Sequence, residues 1–144
     1  MSPIRVDFYL LASPSVDARW HFACRLLEKA YFAGNSVFVF CQCQEDAETL
    51  DELLWTFKED SFIPHNLQHE GLTPPPPIQI GHHQEPRGFS DVLLNLNPSI
   101  PPFYSNFKRV IELVSNETER KELGRKNYRF YRDNRCELFT HNIC

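Results

Sequence analysis

The hydrophobic pattern of the first 60 residues switches between two periods. Residues 6–11 (VDFYLL) and 36–41 (SVFVFC) are short runs rich in β-branched and aromatic side chains, which predicts buried strands. Each run is followed by a segment with apolar residues at helical spacing, at about residues 15–32 and 46–58. The order strand, helix, strand, helix predicts a mostly parallel sheet with flanking helices.

The ends and inner faces of these two helices follow from their side chains. Ser15 is the expected N-cap and Gly34 the expected stop of the first helix. The apolar positions predicted to face the sheet are Val16, Trp20, Ala23, Cys24, Leu27 and Ala30 in the first helix and Ala47, Leu50, Leu53 and Leu54 in the second.

The second half of the chain predicts further strands and one long helix. Residues 78–80, 91–96 and 107–114 are interpreted as strands, and residues 136–143 as a last edge strand. A helix is expected over about residues 118–133, with Asn116 and Glu119 as a capping box. We therefore expect a single α/β domain over residues 1–144, with a Rossmann-like, mostly parallel sheet.

The proline-rich residues 71–77 (GLTPPPP) divide the two halves. Proline fits neither a helix interior nor a central strand, so an extended connection is predicted. A spacer of fixed length is favoured over a ligand for a proline-recognising domain.

The motifs of nucleotide binding and catalysis are missing. The turn after the first strand, ASPSVDARW, contains no glycine to cradle a phosphate, and no P-loop motif occurs. Neither G-x-S-x-G nor H-E-x-x-H is present. His65, with Glu59 and Asp60 upstream, is the best lone acid–base candidate, but a histidine in such a turn more often serves structure.

Composition and charge narrow the function classes. The 144 residues are 42% hydrophobic, enough for one domain with a core, and the net charge is −4. The acidic balance opposes strong direct DNA binding, because phosphates would be repelled. No apolar run is long enough to cross a membrane, and residues 1–12 are interpreted as a strand and not a signal peptide, so a cytoplasmic protein is expected.

Five cysteines raise the question of a metal site. Cys41 and Cys43 could pair with His82 and His83 around zinc, but the C-x-C spacing is not the usual C-x2-C and no second cysteine pair follows. Cys24 and Cys41 also suit small buried positions, on a helix and a strand respectively. We therefore expect neither a metal nor another cofactor.

Two surfaces are candidates for binding. On the last helix a basic stripe falls at offsets of 0, 4, 7, 8 and 11, in the order Lys121, Arg125, Tyr128, Arg129 and Arg132. Leu123, Asn127 and Phe130 fall on another side, which is expected to face the core. The stripe suits an acidic ligand that ends in an apolar group, although a plain solvated face has the same pattern.

The second surface follows the end of the second helix. Trp55, Phe62, Ile63 and Pro64 place large apolar side chains around a predicted loop. Such a group is typical of a protein–protein hot spot, and it is equally consistent with a local core.

The stretch LDELLWTFKEDSFIPHNL at residues 50–67 resembles the chi subunit of bacterial DNA polymerase III holoenzyme. The resemblance rests on Leu50, Asp51, Leu54 and Trp55, followed by Ser61, Phe62, Pro64, His65, Asn66 and Leu67. It extends over the chain through FYLL at residues 8–11, DVLLNL at 91–96 and RKNYRFYR at 125–132. The proline-rich residues 71–87 depart from the family pattern, as do Asn127 and Phe130.

The resemblance implies a non-enzymatic adaptor with a nucleotide-binding-like fold and no nucleotide. Chi proteins pair with the psi subunit of the clamp loader and bind the acidic, Phe-terminated tail of single-stranded DNA-binding protein. The tail-binding positions implied here are Val114, Lys121, Arg125, Tyr128 and Arg129, extended by Arg132 on the stripe, and the psi-binding positions are Trp55, Phe62, Pro64 and His65. A small hydrolase or nucleotide-dependent enzyme on the same fold is the alternative, and the glycine-free turn argues against it.

Overall fold

Seven parallel strands form one open sheet in the computed structural model, which describes residues 3–60, 62–71 and 74–143. The strand order is β3-β4-β2-β5-β6-β1-β7, and each of the six neighbouring pairs is parallel. The strands are β1 (Arg5–Leu11), β2 (Val37–Phe40), β3 (His65–Leu67), β4 (Ile78–Gly81), β5 (Val92–Asn95), β6 (Arg109–Val114) and β7 (Glu137–Ile143). The predicted α/β fold class is confirmed.

Within the described residues, three α-helices cover the sheet: α1 (Val16–Phe32), α2 (Gln44–Thr56) and α3 (Thr118–Asp133). Successive strand residues alternate between two apolar clusters. Val37 and Val39 pack with α1 and α2 on one face, whereas Phe38 and Phe40 belong to the cluster that includes Tyr131 of α3 on the other. No helix in the described part of the chain is long and apolar enough to span a membrane.

The strand order creates a switch point between β1 and β6. These strands are neighbours, but the chain leaves β1 for α1 on one face and leaves β6 for α3 on the other. In open α/β sheets, the carboxyl ends of two such strands border the usual ligand-binding crevice. Leu11 and Val114 end the two strands here.

The helix ends confirm some predictions and correct others. Ser15 caps α1 by accepting a hydrogen bond from the Ala18 N–H, and Gly34 beyond its end has a φ of 83°. The prediction that Val16 faces the sheet is wrong, because this residue is 61% exposed in the first turn of α1. The predicted capping box at Asn116 is also wrong. The Asn116 side-chain amide donates to the Ala12 carbonyl at 2.9 Å, and Glu117 occupies the N-cap position of α3.

The predicted loop after α2 contains a short strand. β3 pairs with β4 from His65 to Leu67 and forms one edge of the sheet. Of the proline-rich connection, Leu72 and Thr73 lie outside the described residues, and Pro74–Pro77 form no helix or strand. The Pro77 carbonyl accepts the Val37 N–H at 2.8 Å, so the connection delivers the chain directly into β4.

Two candidate protein-binding surfaces

A cleft of about 550 Å³ lies beside α3 at the carboxyl ends of β1 and β6. Its floor is apolar, with Phe8 and Leu11 from β1 and Val114 from β6, and Thr140 of β7 closes one side. Its wall is α3, which contributes all five members of the predicted basic stripe: Lys121, Arg125, Tyr128, Arg129 and Arg132. We call this the α3 cleft.

The cations of the α3 cleft are mostly available to a ligand. Lys121, Arg125 and Arg129 are exposed and form no ion pair within the described residues, whereas Arg132 contacts Asp133 at 3.3 Å. The Tyr128 ring is 38% exposed and packs on Phe8, with 5.5 Å between ring centroids. Exposed cations above an apolar floor match a ligand that is anionic and carries an apolar group.

Gly124 brings α3 close to β6 at the cleft floor. A Cβ atom placed on Gly124 would lie 3.0 Å from Cγ2 of Val114, tighter than ordinary side-chain contacts. Glycine inside a helix lowers helix stability by about 1 kcal/mol relative to alanine. At this position the loss accompanies a close approach of α3 to β6. The role of Gly124 has no signal in the sequence, because helical spacing alone does not show the distance to the strand.

Replacing Gly124 with alanine should therefore destabilise the protein by about 1 kcal/mol, instead of giving the gain of about 1 kcal/mol expected in a free helix. The added methyl group pushes α3 away from Val114. The measurement is the free energy of unfolding in urea for Gly124→Ala, Val114→Ala and the double variant.

The double variant should show a favourable coupling of at least about 0.5 kcal/mol, since shortening Val114 makes room for the new methyl group. Lys126→Ala, an exposed substitution on the same helix, is the control and should change stability little. A stabilised Gly124→Ala variant would contradict the close approach.

A buried polar cluster anchors the opposite side of α3. The Tyr131 hydroxyl and the Asn95 amide both donate to Oε2 of Glu112, at 2.7 and 2.9 Å. The Asn127 amide donates to the Pro98 carbonyl at 3.3 Å. Burial raises the pKa of Glu112 to about 7, against the opposing effect of hydrogen bonds from Asn95, Tyr131 and Asn127.

This cluster corrects the predicted inner face of α3. Asn127 is buried and Leu123 is half-buried as expected, but Phe130 is 41% exposed, and the adjacent Tyr131 fills the core instead. Tyr131 and Glu112 were not among the residues predicted to matter. The glutamate within the buried run VIELV was the available signal, because a carboxylate on such a strand needs a partner.

The second surface is an exposed aromatic pair. Trp55 is 52% exposed and Phe62 is 65% exposed, and their ring centroids lie 5.4 Å apart. Pro64 beside them is half-buried. The aromatic pair therefore presents apolar area to solvent, which argues against the interpretation of these rings as a local core.

His65 lies beneath the aromatic pair and not on the surface. It is buried, with Nδ1 2.6 Å from the Ile63 carbonyl and Nε2 3.0 Å from the Asp51 carbonyl. Its ring also contacts Trp55, at 4.6 Å between centroids. Because both ring nitrogens face oxygen atoms of the protein, His65 joins Asp51 of α2 to the start of β3 and holds the pair in place.

The first turn and the cysteines have surroundings that disfavour nucleotide and metal binding. The Asn116 amide groups bond to the Ser13 and Ala12 carbonyls, which ties together the two loops at the switch point. Within the described residues, no three His, Cys, Asp or Glu side chains are grouped to hold a metal. Burial raises the pKa of the Cys41 thiol to about 12, which disfavours the thiolate that zinc requires.

Known proteins resemble the chain over most of its length. The family described as DNA polymerase III chi subunit, HolC, matches residues 4–139. The chain is 38% identical over 139 residues to DNA polymerase III subunit chi of Pseudomonas aeruginosa, covering 96% of each chain. It is 33% identical over 131 residues to the Escherichia coli subunit, covering 87% of this chain and 88% of the relative, and 31% identical over 140 residues to the Haemophilus influenzae subunit, covering 95% and 96%.

Proposed function

The chain belongs to the family of DNA polymerase III chi subunits, accessory subunits of DNA replication, and on that premise we propose that it is a cytoplasmic, non-catalytic adaptor. It links the clamp loader, through the psi subunit, to the C-terminal tail of single-stranded DNA-binding protein. The observation that carries this proposal is the α3 cleft, where the exposed cations Lys121, Arg125 and Arg129 stand over an apolar floor.

The tail has two chemical parts, and the α3 cleft offers a group for each. Carboxylates of the acidic tail need cations, and Arg125 at the centre of the stripe can form a bidentate pair that lysine cannot. Lys121 and Arg129 lie one turn on either side and extend the positive field. The terminal Phe ring packs between Tyr128 and Val114.

The psi subunit binds the aromatic pair, Trp55 and Phe62, together with Pro64. His65 acts as the residue that positions them, in keeping with its burial. The aromatic pair follows α2 on one face of the sheet, whereas the α3 cleft belongs to the other face. An adaptor needs such separation, since both partners must be held at once.

The catalytic alternative has weaker support. His65, its best acid–base candidate, is buried with both ring nitrogens facing protein oxygens. The glycine-free first turn is tied to Asn116 at the place where a phosphate would bind. We therefore favour binding over catalysis.

Arg125→Ala should weaken tail binding by about 2 kcal/mol, roughly a 30-fold rise in Kd, because one charge-assisted bidentate contact is lost. The measurement is calorimetric titration of a short acidic peptide ending in Phe into wild type and variant. Affinity for the wild type should also fall as salt rises, since exposed charge pairs are screened.

Lys126→Ala is the matched control, because Lys126 is an exposed cation next to Arg125 in sequence but does not line the α3 cleft. It should leave tail affinity near wild type, and Arg125→Ala should leave psi binding intact. Equal tail affinities for wild type and Arg125→Ala would move the tail site elsewhere.

A further inference from the structure

A groove of about 520 Å³ runs between α1 and α2 and reaches the aromatic pair. Trp20, Leu53 and Trp55 provide apolar lining, and Asp17 and Glu52 contribute carboxylates. Trp55 belongs to both the groove and the aromatic pair, so the two form one continuous surface. This groove is separate from the α3 cleft on the other face of the sheet.

The α2 side of the groove is strongly acidic, whereas α1 contributes His21 to the lining beside Asp17. Residues 44–60 carry seven acidic side chains and one basic one, Lys58, a net charge of −6. Lys58 already contacts Glu28 at 3.5 Å. Neither Asp17 nor Glu52 forms an ion pair within the part of the chain that the structure describes. The apolar lining is thus bordered by carboxylates that lack cationic partners of their own.

We propose that the groove and the aromatic pair together receive a cationic, amphipathic helix. Its apolar face would cover the tryptophans and Phe62, and its lysine or arginine side chains would meet Asp17 and Glu52. This inference rests on the proposed function, since it assigns that helix to the psi subunit and states the chemistry by which psi is recognised.

The negative charge of α2 also explains how two partners that both carry apolar groups bind at different sites. The acidic, Phe-terminated tail could use an aromatic patch as well as the α3 cleft. Like charge along α2 repels it, just as it repels nucleic acid, whereas the stripe on α3 attracts it. Opposite charges on the two faces of the sheet therefore direct each partner to its own site.

The test is binding of full-length psi to the Asp17→Lys, Glu52→Lys double variant at low and high salt. At about 50 mM NaCl we expect association about tenfold slower than for wild type, because steering by opposite charges is lost. At about 500 mM the difference should shrink to less than twofold, since the field is screened. Glu122→Lys, a single charge reversal of the same kind on α3, is the control and should bind psi like wild type.

Asp17 also lies in the first turn of α1, where a carboxylate stabilises the helix, so the uncharged pair Asp17→Asn, Glu52→Gln is measured alongside. It should slow association about threefold at low salt and melt near wild type. Unchanged rates for both double variants, with psi still lost on Phe62→Ala, would overturn the inference and leave the proposed function standing. No binding of psi to wild type would overturn the proposed function itself.

Discussion

Phe62→Ala is expected to weaken psi binding by about 2 kcal/mol or more, at least a 30-fold rise in Kd. The ring is 65% exposed and packs at a tilted angle against Trp55, so it gives a partner a large apolar anchor that is already ordered. The same exposure means that little packing is lost within the chain, and the melting temperature should stay close to that of wild type. Titration with psi and thermal unfolding followed by circular dichroism measure the two quantities.

Phe130→Ala provides the matched control on the opposite face of the sheet. Phe130 is an exposed ring that contacts Tyr104, with 5.5 Å between centroids, and it lines neither candidate surface. It should leave psi affinity unchanged despite a small loss of stability. If Phe62→Ala lowered the melting temperature strongly while psi affinity stayed the same, the ring would be a core residue and the psi surface would lie elsewhere.

The fold was predictable because β2, β4, β5 and β6 are buried on both faces. Such strands appear in the sequence as continuous apolar runs, and the helices between them show a helical period. The failures are local. β3 has three residues after Pro64 and is too short for any pattern, and Val16 has an apolar side chain in the first turn of α1 that is exposed. Asn116 has a capping residue's chemistry but finds a tertiary partner, the Ala12 carbonyl.

The candidate sites were predictable where a single element carries them. Helical spacing placed Arg125 and its neighbours on one stripe, and residues 50–67 carried the family resemblance that the family match confirms. The cleft floor and the anchor of α3 join distant parts of the chain, such as Phe8 with Tyr128 and Glu112 with Tyr131. Distances of this kind depend on how closely the helix approaches the sheet, which sequence spacing does not encode.

Glu112→Gln is expected to stabilise the protein at pH 8 by about 3 kcal/mol while changing its stability by less than about 1 kcal/mol at pH 5. Burial raises the pKa of Glu112 from an ordinary value of 4.5 to about 7. Between these values the folded state binds the proton that the unfolded chain has released, so stability contributed by Glu112 is present at low pH and is lost as pH rises to about 7. Glutamine stays neutral throughout, and its oxygen can still accept from Tyr131 and Asn95.

Urea unfolding of wild type, Glu112→Gln and Glu122→Gln at pH 5 and pH 8 measures this difference. Glu122 is exposed on α3, so its substitution should have the same small effect at both values. The Glu112→Gln variant should therefore gain relative to both other proteins only at the higher pH. A gain of equal size at pH 5 and pH 8 would show that Glu112 is ionised throughout the range and that α3 is anchored to the sheet by a charged group.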